Sequence, residues 1–449
     1  MTSDRFHNQP SAQEVSHNRR AARLPRLLAL AASVGLAAAS FAEKPAALSE
    51  LSLTVKETYD TNVFGTDYNA VLAGSPEIAN IESWVTTVSP KVGVNLLPVF
   101  GLGKDSAFTA LNLGYIGDYA FYHSATTETN QRHNFTQQIK TKSGDISFVL
   151  DNSFIFVDGK TTTPLYSTYS AYGTAGIRER RAQFQDRAKA VYRQDFDSVF
   201  VRCVGSLLYY DLQTQLHNPV GNYKGYQNFV DRHDLNAGLD FGEKITKDAA
   251  LWVGYRVGQQ VQDLLPWAGT VHNNNTYQRV LLGLEGKLAP WLKVDLQGGP
   301  DYRSYSDPGH LGITGQHHTW FYTEGSITAD VSKNDSIIFT NKIWQWVSST
   351  STAAYRDSTY TLTYKHKFFD ALSGTIGGRA LGSEYDLPTL RKDWLFGYSL
   401  GLRYDFTKQY ALTLDYAHNA ARNKFNDDVK YPGREFNQDL ISLGLRAAF

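Results

Sequence analysis

Trp394-Leu-Phe-Gly-Tyr-Ser-Leu-Gly-Leu-Arg-Tyr-Asp-Phe406 puts Trp394, Phe396, Tyr398, Leu400, Leu402, Tyr404 and Phe406 on one side of an extended chain, and Gly397, Ser399, Gly401, Arg403 and Asp405 on the other. An unbroken apolar row opposite a charged pair suits lipid on one face and water on the other. The aromatic residues at both ends of the row match the two interfaces of a bilayer. Segments starting at Phe108, Leu251 and Tyr410 repeat the pattern, and the chain ends in Ile441-Ser-Leu-Gly-Leu-Arg-Ala-Ala-Phe449 with Ile441, Leu443, Leu445, Ala447 and Phe449 on one face.

Extending the two-residue period along the chain gives about eighteen strands, from 48–59, 82–96 and 106–121 through to 393–406, 409–421 and 436–449. Each reaches the roughly 9 to 11 residues that a tilted strand needs to cross the hydrocarbon. The connections alternate in length. Ser143-Gly144-Asp145, Asp195-Phe196-Asp197, Ser332-Lys333-Asn334-Asp335, Phe369-Asp370 and Thr407-Lys408 are short, whereas those near 60–81, 158–178, 213–228 and 422–435 are long. Short turns on one side and long loops on the other, in constant phase, predict an all-β fold: a transmembrane antiparallel up-and-down β-barrel with periplasmic turns and longer extracellular loops. With no water in the lipid core, the sheet must close to pair every backbone group.

Composition agrees. Tyr (27), Phe (24) and Gly (36) favour strands and turns, and no stretch beyond residue 42 supplies the apolar run of a spanning helix. Lys and Arg number 44 against 44 Asp and Glu, so nothing points to nucleic acid. The single cysteine, Cys203, has no disulfide partner within the chain and falls on a lipid-facing position, as a small apolar filler.

Residues 1–42 read as a signal peptide. Arg19, Arg20, Arg23 and Arg26 precede the apolar stretch Leu27–Ala39, and Ser40-Phe41-Ala42 offers small residues for cleavage. The expected units are 1–42, export signal, and 43–449, outer-membrane β-barrel. A plug-gated transporter would need more chain between Ala42 and the first strand.

The strand set, the motif Tyr59-Asp-Thr-Asn-Val-Phe64 and the terminal Phe449 together resemble the porin-like β-barrel families of the Gram-negative bacterial outer membrane, some of whose members are associated with exopolysaccharide production. The resemblance implies that Phe449 serves as the assembly signal read by the barrel-assembly machinery. It also implies a passive pore for polar solutes such as saccharides, in monomeric or trimeric form. An export conduit for a secreted polysaccharide and a plugged barrel acting as scaffold or adhesin are the alternatives. No cofactor is implied.

Candidate pore-lining residues follow from the inward positions: Arg181, Arg187, Lys189, Arg202, Arg232 and Arg256 on one side, and Asp295, Glu324, Asp330, Asp405 and Asp415 on the other. Opposed charge would set a field across the lumen and select solutes. Asp234, Asp240, Arg379, Arg403 and Arg446 interrupt the separation, so ion pairs that brace the lumen are an equal reading. Tyr166, Tyr169 and Tyr172, in the third long loop, could stack on sugar rings if that loop folds inward. Asp60, Asn62, Asp67 and Asn69 depart from a calcium loop at Phe64, and His310, His317 and His318 lack further ligands, so no metal is expected. His418 lies loosely beside Tyr398 and Ser442, without a nucleophile elbow or a catalytic set on adjacent lipid-facing positions, which argues against an enzyme.

Overall fold

A computed structural model describes residues 45–63, 82–103, 105–160, 181–212, 231–262, 274–307, 316–347, 354–385, 391–425 and 436–449. The signal segment, the loop tyrosines Tyr166, Tyr169 and Tyr172, and Asp67, Asn69 and His310 lie outside them.

Eighteen strands follow in chain order: β1 Leu48–Asp60, β2 Ser83–Asn95, β3 Phe108–Tyr122, β4 Asn130–Ser143, β5 Ile146–Lys160, β6 Arg181–Phe196, β7 Val199–Asp211, β8 Arg232–Lys244, β9 Ala249–Gln262, β10 Asn275–Ala289, β11 Leu292–Tyr305, β12 His317–Asp330, β13 Asp335–Val347, β14 Ala354–Phe369, β15 Leu372–Tyr385, β16 Arg391–Asp405, β17 Tyr410–Phe425 and β18 Phe436–Ala448. Each pairs antiparallel with its sequence neighbours, and β1 pairs with β18, Ser52 opposite Ala448 through Asp60 opposite Leu440. The sheet therefore closes on itself and leaves no edge. Beyond β18, the Phe449 N–H donates to the Leu51 carbonyl at 2.9 Å.

Local chemistry sets the turns. Asp197, at φ 51°, and Gly144, at φ 56°, supply the left-handed conformation that two-residue hairpins require. One connection on the short-turn side runs longer. Between β2 and β3, Leu97–Gly101 form a helical turn closed by Phe100 N–H to Leu96 O at 3.2 Å.

The outer face is apolar. Leu400 is 48%, Leu414 50% and Ile441 49% exposed, the reverse of a water-soluble fold, and each points to where lipid lies. Above that belt, rings from successive strands touch: Tyr59 and Trp84 at 5.1 Å, Tyr115 and Phe135 at 5.0 Å, Phe156 and Phe184 at 4.8 Å, Tyr398 and His418 at 5.2 Å. Phe196, Trp291, Phe368 and Phe406 project near the opposite rim. Two aromatic girdles around a closed apolar sheet place the protein in the bacterial outer membrane. Cys203 is exposed on this outer face, opposite Leu239.

Candidate functional site

The buried side chains lie inside the barrel and concentrate on β6 to β15. Register creates the pattern. Arg202 stands directly opposite Asp240 on the neighbouring strand, and Arg256 reaches the same carboxylate diagonally. Arg202 Nε lies 2.7 Å from Asp240 Oδ2 and Nη1 lies 2.6 Å from Glu285 Oε2, while Arg193 Nη1 donates to Glu285 Oε1 at 3.0 Å. Flat guanidinium groups stack on inward rings between these pairs. Arg193 sits 3.7 Å from the centre of Phe200, and Arg202 sits 4.8 Å from that of Trp252.

A second cluster lies higher on the same wall. Asp234 accepts from Tyr277 Oη at 2.6 Å and Gln260 Nε2 at 2.9 Å. Asp301, 1% exposed, is shared by Arg279 at 2.9 Å and Arg303 at 2.8 Å, and both cations lie against Tyr277. These charges are desolvated and paired, the condition under which buried ions persist.

The wall also reaches across the lumen. Arg232 on β8 lies 4.7 Å from the Trp346 ring on β13, and its Nη1 is 3.5 Å from Tyr355 Oη on β14. Gln260 Nε2 donates to the Gln345 carbonyl at 3.2 Å. Trp346, Tyr355 and Tyr385 form a buried cluster against Leu208 of β7.

Beside this bridge lies a cavity of about 960 Å³. Its lining includes Asn112, Thr136, Gln138, Ser153, Ser206, Asn236 and Gln297, with Arg187, Lys189, Asp295 and Glu324 among the charged groups. Arg187 donates to Tyr210 Oη at 2.7 Å, whereas Lys189 and Asp295 are exposed to the interior without a salt bridge among the described residues. Glu324 accepts from Lys342 Nζ at 3.1 Å and from the Tyr322 hydroxyl, and it feels the charge of Lys189 from β6.

The candidate residues thus separate into groups. Arg187, Lys189, Arg202, Arg232, Arg256, Asp295 and Glu324 all line the cavity; Arg202 and Arg256 are locked on Asp240 and Glu324 pairs with Lys342, Arg232 reaches across to Trp346 and Tyr355, and Lys189 and Asp295 have no salt bridge among the described residues. A clean division into a basic and an acidic side does not hold, because Asp240, Glu285 and Asp301 lie among the arginines. Arg403 and Asp405 pair with each other at 2.6 Å near the periplasmic end, and Asp330 is exposed at the foot of β12. Asp415 faces inward on β17, within electrostatic reach of Lys56. Arg181 begins β6, and its side chain lies outside the described residues. The structure adds Glu285, Arg279, Arg303 and Trp252. Trp252 shares the inward parity of Arg256 on β9 and Arg303 that of Asp295 on β11, so their signal lies in the sequence, whereas Arg279 and Glu285 belong to β10, which supplies no sequence candidate, and are placed by register opposite Arg256 and Asp295.

Other candidates resolve by direction. Asp60 Oδ1 accepts the Asn62 N–H and Gln438 Nε2, both at 2.9 Å, and so ties the β1–β18 seam. His317 stacks on Tyr302 outside, while His318 packs on Trp320. His418 binds Asp439 at 2.9 Å on the lipid face, but Ser442 points into the lumen against Thr58, so the three do not meet. Gly397-Tyr-Ser-Leu-Gly401 spells the Gly-x-Ser-x-Gly of a nucleophile elbow. It runs as uninterrupted strand within β16, without the sharp turn that exposes such a serine.

No protein-family model and no curated protein matches the sequence. Among solved structures, the chain is similar to Pseudomonas aeruginosa OpdK crystallised with vanillate, at 11% identity and TM-score 0.40 over 89% of this chain and 98% of that one. It is also similar to P. aeruginosa OccK2 (OpdF), at 8% identity and TM-score 0.39 over 89% and 98%. The ferric citrate transporter FecA aligns at 10% identity and TM-score 0.38 over 90% of this chain and 80% of its own. Likeness this distant says nothing of solute or mechanism, and the barrel architecture rests on the strand pairing itself.

Proposed function

We propose that the barrel is an outer-membrane pore through which small polar solutes, with saccharides as the favoured class, pass down their gradient. The observation that carries this reading is the cavity of about 960 Å³ within a closed sheet, whose lining includes the amide and hydroxyl side chains of Asn112, Thr136, Gln138, Ser153, Ser206, Asn236 and Gln297. Those groups can exchange hydrogen bonds with a polyhydroxylated solute at little net cost. Most of the arginines on the lining are already neutralised by carboxylates, so a neutral solute meets no strong opposing field. Arg187, Lys189, Asp295 and Glu324 are the charged groups assigned to the selective part of the path. Residues 1–42 are assigned to export, and Phe449 to recognition by the assembly machinery.

Reconstitution tests this. Discrete conductance steps in planar bilayers, and swelling of proteoliposomes that slows from mono- to trisaccharides, are the expected results. Protein that inserts but gives neither would overturn the pore. The contacts of Arg232 with Tyr355 and of Gln260 with Gln345 favour one second reading, a barrel sealed by its own side chains and acting as a scaffold. That reading predicts insertion without conductance.

A further inference from the structure

Two amides interrupt the lipid face of the barrel at mid-depth. Along β4 the outward residues run His133, Phe135, Gln137, Ile139 and Thr141, and along β5 they run Phe156, Phe154, Asn152, Leu150 and Phe148. The rings of Phe135 and Phe154, 6.3 Å apart, mark that outer face. Gln138 and Asp151, one residue along, point the other way and hydrogen-bond at 2.8 Å within the lumen. Gln137 and Asn152 stand directly opposite each other.

Depth decides what these side chains meet. His133 and Phe156 stack at 5.9 Å in the upper girdle, and each amide lies two outward steps below, about 14 Å along its strand. With a strand tilt of about 40°, that is close to the middle of an apolar band roughly 25 Å tall. Neither side-chain amide has a hydrogen-bond partner among the described residues. Hydrocarbon offers none, so these donors and acceptors are costly in a lone barrel and are satisfied when a second polypeptide supplies the partner. Asn341, on the far side of the barrel, shows the contrast. It donates to Thr323 Oγ1 at 2.7 Å and is satisfied within its own wall.

Register extends the row. Leu113 of β3 is opposite Gln137 and Ala188 of β6 is opposite Asn152, so a bulky side chain, two amides and a small side chain follow one another across β3 to β6. Ala190 continues the small surface one outward step below Ala188. The row is its own complement. A two-fold axis along the membrane normal, passing between β4 and β5, sets amide against amide and brings Leu113 to the Ala188 and Ala190 face of a second copy. An amide both donates and accepts, and the small residues let a convex wall close on its copy. Four strands across the apolar band cover roughly 600 Å² a copy, or about 1,200 Å² together, the lower end for a stable interface.

We infer that the face centred on Gln137 and Asn152 is the interface of a two-fold dimer of this chain within the outer membrane. Amides that hydrogen-bond across a lipid-embedded contact, beside small residues, drive association where apolar burial supplies no force. The interface lies on the outside of the wall, so it is independent of what passes through the lumen.

The test counts chains by single-molecule photobleaching of the full barrel in phosphatidylcholine vesicles over a range of protein-to-lipid ratios. Cys203→Ser/Lys408→Cys carries one fluorophore on a periplasmic turn. Two bleaching steps, saturating at two as protein density rises, are the expected result. Adding Gln137→Leu/Asn152→Leu should raise the dissociation constant in the bilayer about tenfold, the loss of two ordinary membrane hydrogen bonds. Leucine suits the lipid face, so this variant folds, and a heat-modifiable gel shift confirms it. Adding Asn341→Leu instead should leave the constant unchanged. Cys203→Ser/Asn152→Cys should form a covalent dimer on oxidation, and Cys203→Ser/Asn341→Cys should not. Single steps at every density, three or more steps, or an unchanged constant in the Gln137→Leu/Asn152→Leu protein would overturn the inference. Cross-linking of the Asn341→Cys protein in place of the Asn152→Cys protein would overturn it too.

Discussion

Arg256 grips Asp240 with both ends of its guanidinium, Nη1 to Oδ1 at 2.5 Å and Nη2 to Oδ2 at 3.0 Å, and the Asp240 side chain has no exposed surface. Arg202 approaches the same carboxylate from the other neighbouring strand, so one negative charge organises three strands of the wall. Asp240→Asn leaves the buried Arg256 without a counter-charge and Arg202 with Glu285 alone, and is expected to cost about 3 kcal/mol of stability. Asp240→Leu/Arg256→Met should recover much of that, since an apolar pair avoids the uncompensated ion. Unfolding midpoints in denaturant, measured from lipid vesicles, compare the two.

The same carboxylate explains a glycine. A Cβ at Gly254 would lie 2.1 Å from Asp240 Oδ1 and 2.8 Å from the Trp252 ring. Gly254→Ala must push the ion pair aside, at about 1 to 3 kcal/mol. Gly378, on the lipid face, has open space where its Cβ would go, and Gly378→Ala should be neutral or slightly stabilising. Equal effects of the two substitutions would show that the close approach at Gly254 is unimportant.

The strands were legible because period two and membrane length occur together; Trp394–Phe406 alone displays both. Register was harder to read. Arg202 and Arg256 look like free lumenal cations in a list of inward residues, and they become a paired set only when the hairpins at 197–198 and 245–248 align them with Asp240. The cross-lumen bridge was beyond reach altogether. Contacts between β8 and β13 depend on how the four intervening strands curve, and no local pattern encodes that.

Lys189 gives the charge prediction. Its side chain is exposed to the cavity and has no salt bridge among the described residues, unlike Arg256. A unit charge about 10 Å from a permeating ion in water shifts its energy by about 0.4 kcal/mol, close to a factor of two in occupancy. Lys189→Gln should therefore move the permeability ratio toward cations by about twofold, and Asp295→Asn should move it toward anions. Reversal potentials across a salt gradient read both, and unchanged values would remove these residues from the selective path.

The outer face has its own test. Leu400 and Leu414 project into the apolar belt on adjacent strands, and Leu400→Arg or Leu414→Arg is expected to cost about 2 to 4 kcal/mol near the bilayer midplane. Folding yield into vesicles, scored by heat-modifiable migration, measures it. Normal assembly of both variants would mean that the assigned lipid face is wrong.

Trp346 decides how far the lumen is closed. Its ring lies under the Arg232 guanidinium and packs with Tyr355 and Tyr385, so the contact between β8 and β13 depends on a bulky side chain at that point. Trp346→Ala removes the ring while leaving Arg232 and Tyr355 in place. If the bridge is the narrowest part of a conducting path, single-channel conductance should rise, and larger saccharides should enter proteoliposomes faster. If the barrel is sealed at several heights, removing one ring admits nothing and the variant stays silent. Stability separates this from simple damage, because truncating a buried aromatic ring costs about 3 to 5 kcal/mol wherever it sits. Higher conductance together with that loss would identify the bridge as a constriction, whereas the loss alone would leave it a structural brace.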